Sequence, residues 1–192
     1  MEAYWYFDFA SPFAYLQLAK VQEWRSRMPL TPVPILARVL PRDGAENIVP
    51  GLAPEDSAEG FVRWRAKSLG VALTLPPSYP FNSVAALRLC VAANITWPAI
   101  EAIFAHLWRD GLPGTTPEEL KPVALRLGVN SLGTTGGVFD SGARLRANTE
   151  AARALGVGSV PTIRVGSRLF HGANAAAEFD DWLAEPVLRR TA

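Results

Sequence analysis

Tyr4-Trp5-Tyr6-Phe7-Asp8-Phe9-Ala10-Ser11-Pro12-Phe13-Ala14-Tyr15 carries an aromatic, apolar run straight into a Ser-Pro pair. The run from Tyr4 to Phe9 reads as a buried strand, because aromatic residues favour the pleated, half-buried surface of a sheet. Ser is a favoured N-cap and Pro is favoured at the first helical position, so Ser11 and Pro12 mark a helix start. The Ser11 hydroxyl then stands among the unpaired amides and the positive dipole end of that helix. Such a position suits a thiolate or another anion. Taken by itself, the segment is that of an ordinary capped helix, and the second half of the chain carries the decision.

Working outward, apolar spacing at Phe13, Leu16, Ala19, Val21 and Trp24 predicts a helix over 12–27. Leu30 to Val39 is apolar but contains Pro32 and Pro34, which cannot donate to a ladder and so point to an edge strand. A right-handed crossover sets it parallel to the first strand. From about Arg42 the character shifts to Gly, Pro, Asn and acidic residues. Helical patterns follow at Phe61 to Leu69, Ser83 to Ile95, Pro98 to Trp108 and Pro117 to Leu127. An Ala- and Arg-rich helix from Ser141 to Leu155 closes at Gly156. Val160 to Val165 and Arg168 to His171 flank Gly166-Ser167, a two-residue hairpin signal, and Gly172 precedes a last helix from Ala175 to Leu183. Strand, helix, strand, helical insertion, helix, strand, strand, helix is a thioredoxin-like order. The expected fold is α/β: a discontinuous thioredoxin-like domain over 1–43 and 141–192, interrupted by an all-helical subdomain over 44–140.

Composition narrows the function classes. The chain has 192 residues and a formal net charge of +1, which gives no reason to expect nucleic acid or an anionic membrane as partner. A single cysteine, Cys90, excludes an intramolecular disulfide and a Cys-x-x-Cys redox pair. It sits in an apolar run and reads as a small buried hydrophobe. No apolar run approaches membrane-spanning length and no basic segment leads an apolar one, so the expectation is a soluble cytoplasmic protein. His106 and His171 make no metal site between them, and no metal is expected.

Gly158-Ser159-Val160-Pro161-Thr162 puts a proline at the opening of the late hairpin, where it removes a ladder donor. Either a cis Val160-Pro161 bond or an ordinary trans proline at a strand's first residue accounts for it. Three segments, Phe7 to Leu16, Gly156 to Ile163 and Arg168 to Asn174, together resemble the 2-hydroxychromene-2-carboxylate isomerase family, within the DsbA-like and kappa-class glutathione transferase superfamily. The likeness spans nearly the whole chain, in the family's order.

The resemblance implies glutathione as cofactor, bound in a cleft between the two domains. It puts Ser11 where thiol oxidoreductase relatives carry their nucleophilic Cys, with its hydroxyl beside the glutathione sulfur. It puts the backbone of Val160, before a cis Pro161, against the cysteinyl part of glutathione, and Gly172, Ala173 and Asn174 against its γ-glutamyl end. The implied reaction is a cis-trans isomerisation of an aromatic 2-oxo acid in aromatic catabolism, by thiolate addition, rotation and elimination. The implied partner is a small aromatic substrate, and the implied assembly is a homodimer.

Arg38 and Arg42 are candidates to stabilise an enolate, or are solvated arginines. Asn47 and Pro50 lie in a loop resembling the family's Gly-Asn-x-x-Pro stretch. Phe81, near a helix start where Ser83 can act as N-cap, and His171, beside Gly172, are further candidate substrate contacts. The chain departs from the family at Asn174 and Ala175, where relatives carry Asp, often followed by Arg. A kappa-like glutathione transferase conjugating electrophiles and a non-catalytic glutathione- or peptide-binding protein are the two other readings of the same site. A disulfide oxidoreductase is rejected, because Ser11 replaces the nucleophile and no resolving cysteine exists.

Overall fold

The computed structural model describes residues 2–40, 58–129, 138–172 and 174–185. A four-stranded sheet in the order β2-β1-β3-β4 is built from β1 (Ala3–Phe7), β2 (Leu30–Pro34), β3 (Thr162–Val165) and β4 (Arg168–His171). β1 pairs parallel to β2 and antiparallel to β3, and β3 pairs antiparallel to β4 across Gly166-Ser167. β2 stands at the edge, as its prolines require: Pro32 and Pro34 lie opposite Trp5 and Phe7 and lack the N–H that a central strand would need on both sides. β2 is shorter than the sequence suggests, because the chain leaves the sheet into a 3-10 turn at Ala37–Val39.

The helices are α1 (Pro12–Leu16), α2 (Leu18–Arg27), α3 (Ala58–Ser68), α4 (Val84–Ala92), α5 (Trp97–Phe104), α6 (Lys121–Arg126), α7 (Val138–Ala154) and α8 (Ala175–Ala184). The single helix expected over 12–27 is two helices that meet at Gln17. Gln17 is not one of the apolar positions of the helical pattern, yet it is buried and its side-chain oxygen accepts from the Trp5 indole N–H at 2.8 Å. α5 continues into a π-helical turn at Ala105–Arg109, closed by the Asp110 amide donating to the Ala105 carbonyl. Among the described residues no helix is long and apolar enough to cross a membrane.

Side chains of a strand alternate between faces, and β1 uses both. Ala3, Trp5 and Phe7 turn toward one buried cluster with Leu87, Ile100, Phe104 and Trp108 from the helices between β2 and α7, and with Phe179 and Trp182 from α8. Tyr6 joins a second, smaller cluster with Ile35, Leu40, Ala152 and Val157. Trp5, Phe7, Phe9 and Phe104 form a chain of ring contacts with centroids 4.5 to 6.4 Å apart. Trp108 adds direction to this apolar packing: its indole N–H donates to the Phe9 carbonyl at 2.8 Å, in a fully buried setting.

That bond ties the helical layer to the end of β1. Trp108→Phe keeps an aromatic ring but leaves the buried Phe9 carbonyl without its donor. The unmade bond and the lost volume together should lower unfolding free energy by about 2–4 kcal/mol, read as a shifted urea midpoint at unchanged slope.

Candidate functional site

The site grows from the end of β1. Asp8 is 2% exposed, and its two carboxyl oxygens accept from the amides of Ala10 at 2.9 Å and Ala37 at 2.8 Å. The Ser83 hydroxyl donates to the same carboxyl. One side chain therefore holds three segments: the turn leading to Ser11, the 3-10 turn after β2, and the entry to α4. The Asp8 carbonyl also accepts from the Ser11 amide at 3.0 Å. Burial pushes the Asp8 carboxyl above the usual carboxylate range; the Ala10 amide, the Ser83 hydroxyl, the Ala37 amide and the Arg38 charge pull it back without offsetting the burial.

Ser11 is the N-cap of α1, in extended backbone conformation, with its oxygen accepting from the Ala14 amide at 3.3 Å. Its hydroxyl reaches the Val160 carbonyl at 3.5 Å, the outer limit for a hydrogen bond. The Val160-Pro161 bond is cis. Val160 precedes β3, so its amide is outside the ladder, and that amide donates to no described residue. Ser11 and Val160, 149 residues apart, are thus the two sequence candidates in direct contact.

The remaining candidates are dispersed. Gly172 adopts a φ of +82°, which a side chain would resist, at the turn between β4 and α8. Asn174 occupies the N-cap position of α8, but its side chain makes no capping hydrogen bond. Arg38 is exposed on the 3-10 turn, and His171 is exposed at the end of β4 opposite Thr162. Phe81 is half-buried with its ring centroid 6.1 Å from that of Trp108. Arg42, Asn47, Pro50 and Ala173 lie outside the described residues. Ser83 occupies the N-cap position of α4, but its side chain does not cap the helix; Asn82 accepts from the Val84 amide instead, and the Ser83 hydroxyl serves Asp8.

Two features escaped the sequence reading. Asp8 is one, signalled only by an acid wedged between Phe7 and Phe9 in an otherwise apolar strand. The other is an aromatic shelf that begins two residues after Ser11: Phe13 on α1 lies 6.0 Å from Phe61 on α3, and Phe61 stacks on Trp64 at 5.6 Å. Phe61 and Trp64 are 47% and 58% exposed, an apolar surface facing outward. His106 is buried, with Nε2 2.9 Å from the Pro113 carbonyl, and no cluster of metal-ligating side chains occurs among the described residues.

Comparison with known proteins follows the same lines. The DSBA-like thioredoxin domain model matches residues 4–184. None of the curated proteins matches the chain. Among solved structures, a 2-hydroxychromene-2-carboxylate isomerase is similar with a TM-score of 0.70 and 22% identity over 94% of this chain and 93% of that one. The cytosolic disulfide reductase DsbM from Pseudomonas aeruginosa, solved with GSH, is similar with a TM-score of 0.63 and 16% identity over 96% of each chain. A probable DsbA oxidoreductase from Streptomyces coelicolor gives a TM-score of 0.66 and 18% identity over 95% of this chain and 88% of that one. At these identities the likeness is one of fold.

Asp8 supplies a test of the site's scaffold. Both carboxyl oxygens accept from backbone amides, so Asp8→Asn sets its NH2 group against one of them, and the variant should be less stable throughout. The raised carboxyl means the folded state holds this proton more tightly than the unfolded chain does. Its contribution is therefore greatest below the unfolded value of about 3.9 and declines as pH rises through the folded value. The stability gap between wild type and Asp8→Asn should narrow from pH 4 to pH 7 in parallel denaturation series.

Proposed function

Since the chain belongs to the DSBA-like thioredoxin domain family, we propose that it is a glutathione-dependent isomerase acting on an aromatic 2-oxo acid. The observation that carries this reading is the Ser11 hydroxyl, held at a helix start while its proton is only loosely engaged at 3.5 Å by the Val160 carbonyl. A proton so weakly committed can turn to an incoming sulfur at little cost. The similar structures support the reading, since one is a 2-hydroxychromene-2-carboxylate isomerase and another was solved with GSH.

The residues present fit the tripeptide. The Val160 amide outside the ladder offers a donor to a peptide backbone laid beside Ser11. The amides at the start of α8, after Gly172 and around Asn174, would receive a γ-glutamyl carboxylate at the positive end of a ten-residue helix. When bound, glutathione supplies a sulfur nucleophile able to add to, and leave, a conjugated double bond. Ser11 donates to that sulfur and favours its ionised form. Phe13, two residues after Ser11, and the rings of Phe61 and Trp64 beyond it offer an aromatic substrate ring a stacking surface. Arg38, exposed on the turn after β2, is the described cation assigned to negative charge developing on the 2-oxo acid.

Disulfide chemistry has no nucleophile here. Ser11 stands at the helix start, and Cys90, the one cysteine, is fully buried with its thiol pushed far up by burial. Insulin reduction should therefore stay at background in the purified protein.

Glutathione titrated calorimetrically into wild type should bind with a rise in thiolate absorbance at the ultraviolet edge. Losing a hydrogen bond to a charged group costs about 1.5–3 kcal/mol, so Ser11→Ala should weaken thiolate binding roughly ten- to a hundredfold. With glutathione present, wild type should interconvert 2-hydroxychromene-2-carboxylate and its benzylidenepyruvate. Binding without interconversion would remove the substrate assignment, and no binding would remove the cofactor as well.

A further inference from the structure

A concave site lies between the 3-10 turn, the start of α4 and one face of α7. Its volume is about 350 Å³, within the range of small-molecule sites. Leu36, Val39, Val84 and Leu145 give it apolar walls, and Arg88, Arg146 and Arg153 surround them. Leu145, Arg146, Thr149 and Arg153 follow the spacing that sets residues on one helix face. None of Ser11, Val160, Pro161, Gly172 or Asn174 lines it.

The charges are unbalanced. Glu150 is the one acidic residue in the lining, against three arginines. None of the three forms an ion pair with a described residue. Arginine stays protonated at any relevant pH and presents a planar fork matched to a carboxylate.

Arg88 crosses α7 at its glycine. A Cβ on Gly142 would stand 3.1 Å from its Nη2 and 3.5 Å from its Nε, so the guanidinium lies directly over the glycine. Glycine inside a helix costs stability relative to alanine. The passage of Arg88 across α7 is a physical reason for its presence in this seventeen-residue helix.

We propose that this pocket binds an amphipathic organic acid, its apolar body against Leu36, Val39, Val84 and Leu145 and its carboxylate among Arg88, Arg146 and Arg153. The Thr149 hydroxyl takes no part, since it donates to the Leu145 carbonyl at 2.8 Å and accepts from the Leu36 amide at 3.1 Å. Glu150 acts against dianionic heads, which favours a single carboxylate. The proposal is independent of glutathione.

The test uses the full chain and 4-phenylbutyrate as probe, with 4-phenylbutan-1-ol as its uncharged counterpart, both titrated by calorimetry. The acid should bind at least tenfold more tightly than the alcohol and weaken as salt is raised. Arg88→Gln and Arg146→Gln, both exposed positions, should each reduce affinity for the acid several-fold and leave the alcohol unchanged. Gly142→Ala, which improves the helix while pressing on Arg88, should also weaken the acid, so loss of binding there cannot be ascribed to misfolding. Ser11→Ala should bind the acid as wild type does. Equal binding of acid and alcohol, arginine variants that bind like wild type, or a loss in Ser11→Ala matching theirs would each overturn the proposal.

Discussion

A carboxyl group at the end of β1, with Phe7 and Phe9 fully buried on either side of it, has no route to water and must be satisfied from within the protein. Asp8 meets that requirement with one donor from the turn that follows it and two from segments remote in the chain. Each donor is committed by the bond as much as the acid is. The turn carrying Ser11, the departure of the chain from β2 and the approach of α4 are therefore set by one buried group. The desolvation that raises its proton affinity is the same desolvation that makes a missing partner costly.

Around this point the molecule combines a non-directional force with directional ones. The rings of Trp5, Phe7, Phe9 and Phe104 bury a large apolar area, and such packing tolerates small rotations and slips. The indole N–H groups remove that freedom. Trp5 donates to Gln17, Trp24 to Asp180 and Trp108 to the Phe9 carbonyl, each bond joining separate elements. Sheet, helical layer and last helix are thereby held in register. Ser11 inherits its position from that register, since its hydroxyl meets Val160 only because β1 and β3 lie side by side.

The sequence is informative where the chemistry is local. Ser-Pro as a helix start, two prolines in an edge strand and Gly166-Ser167 between the last strands each follow from what a residue's own backbone permits, and each is found. It misleads where a polar residue is buried for a partner far away. Gln17 sits in a helical pattern but accepts from Trp5, and the helix divides there. Ser83 has the composition of an N-cap, yet its hydroxyl goes to Asp8 and Asn82 takes the capping role. No periodicity reports such choices, because each depends on which acceptor the tertiary fold brings within reach.

The edge position of β2, the hairpin and the serine at a helix start were determined by residue type and spacing alone, because backbone sterics and hydrogen-bonding capacity are properties of single residues and their near neighbours. The contact of Ser11 with Val160, the three-way hold on Asp8, the aromatic shelf of Phe13, Phe61 and Trp64, and the unbalanced arginines of α4 and α7 were decided only by the tertiary structure. All four are meetings of segments tens of residues apart, and what brings such segments together is the burial of a shared core rather than any preference written into either one.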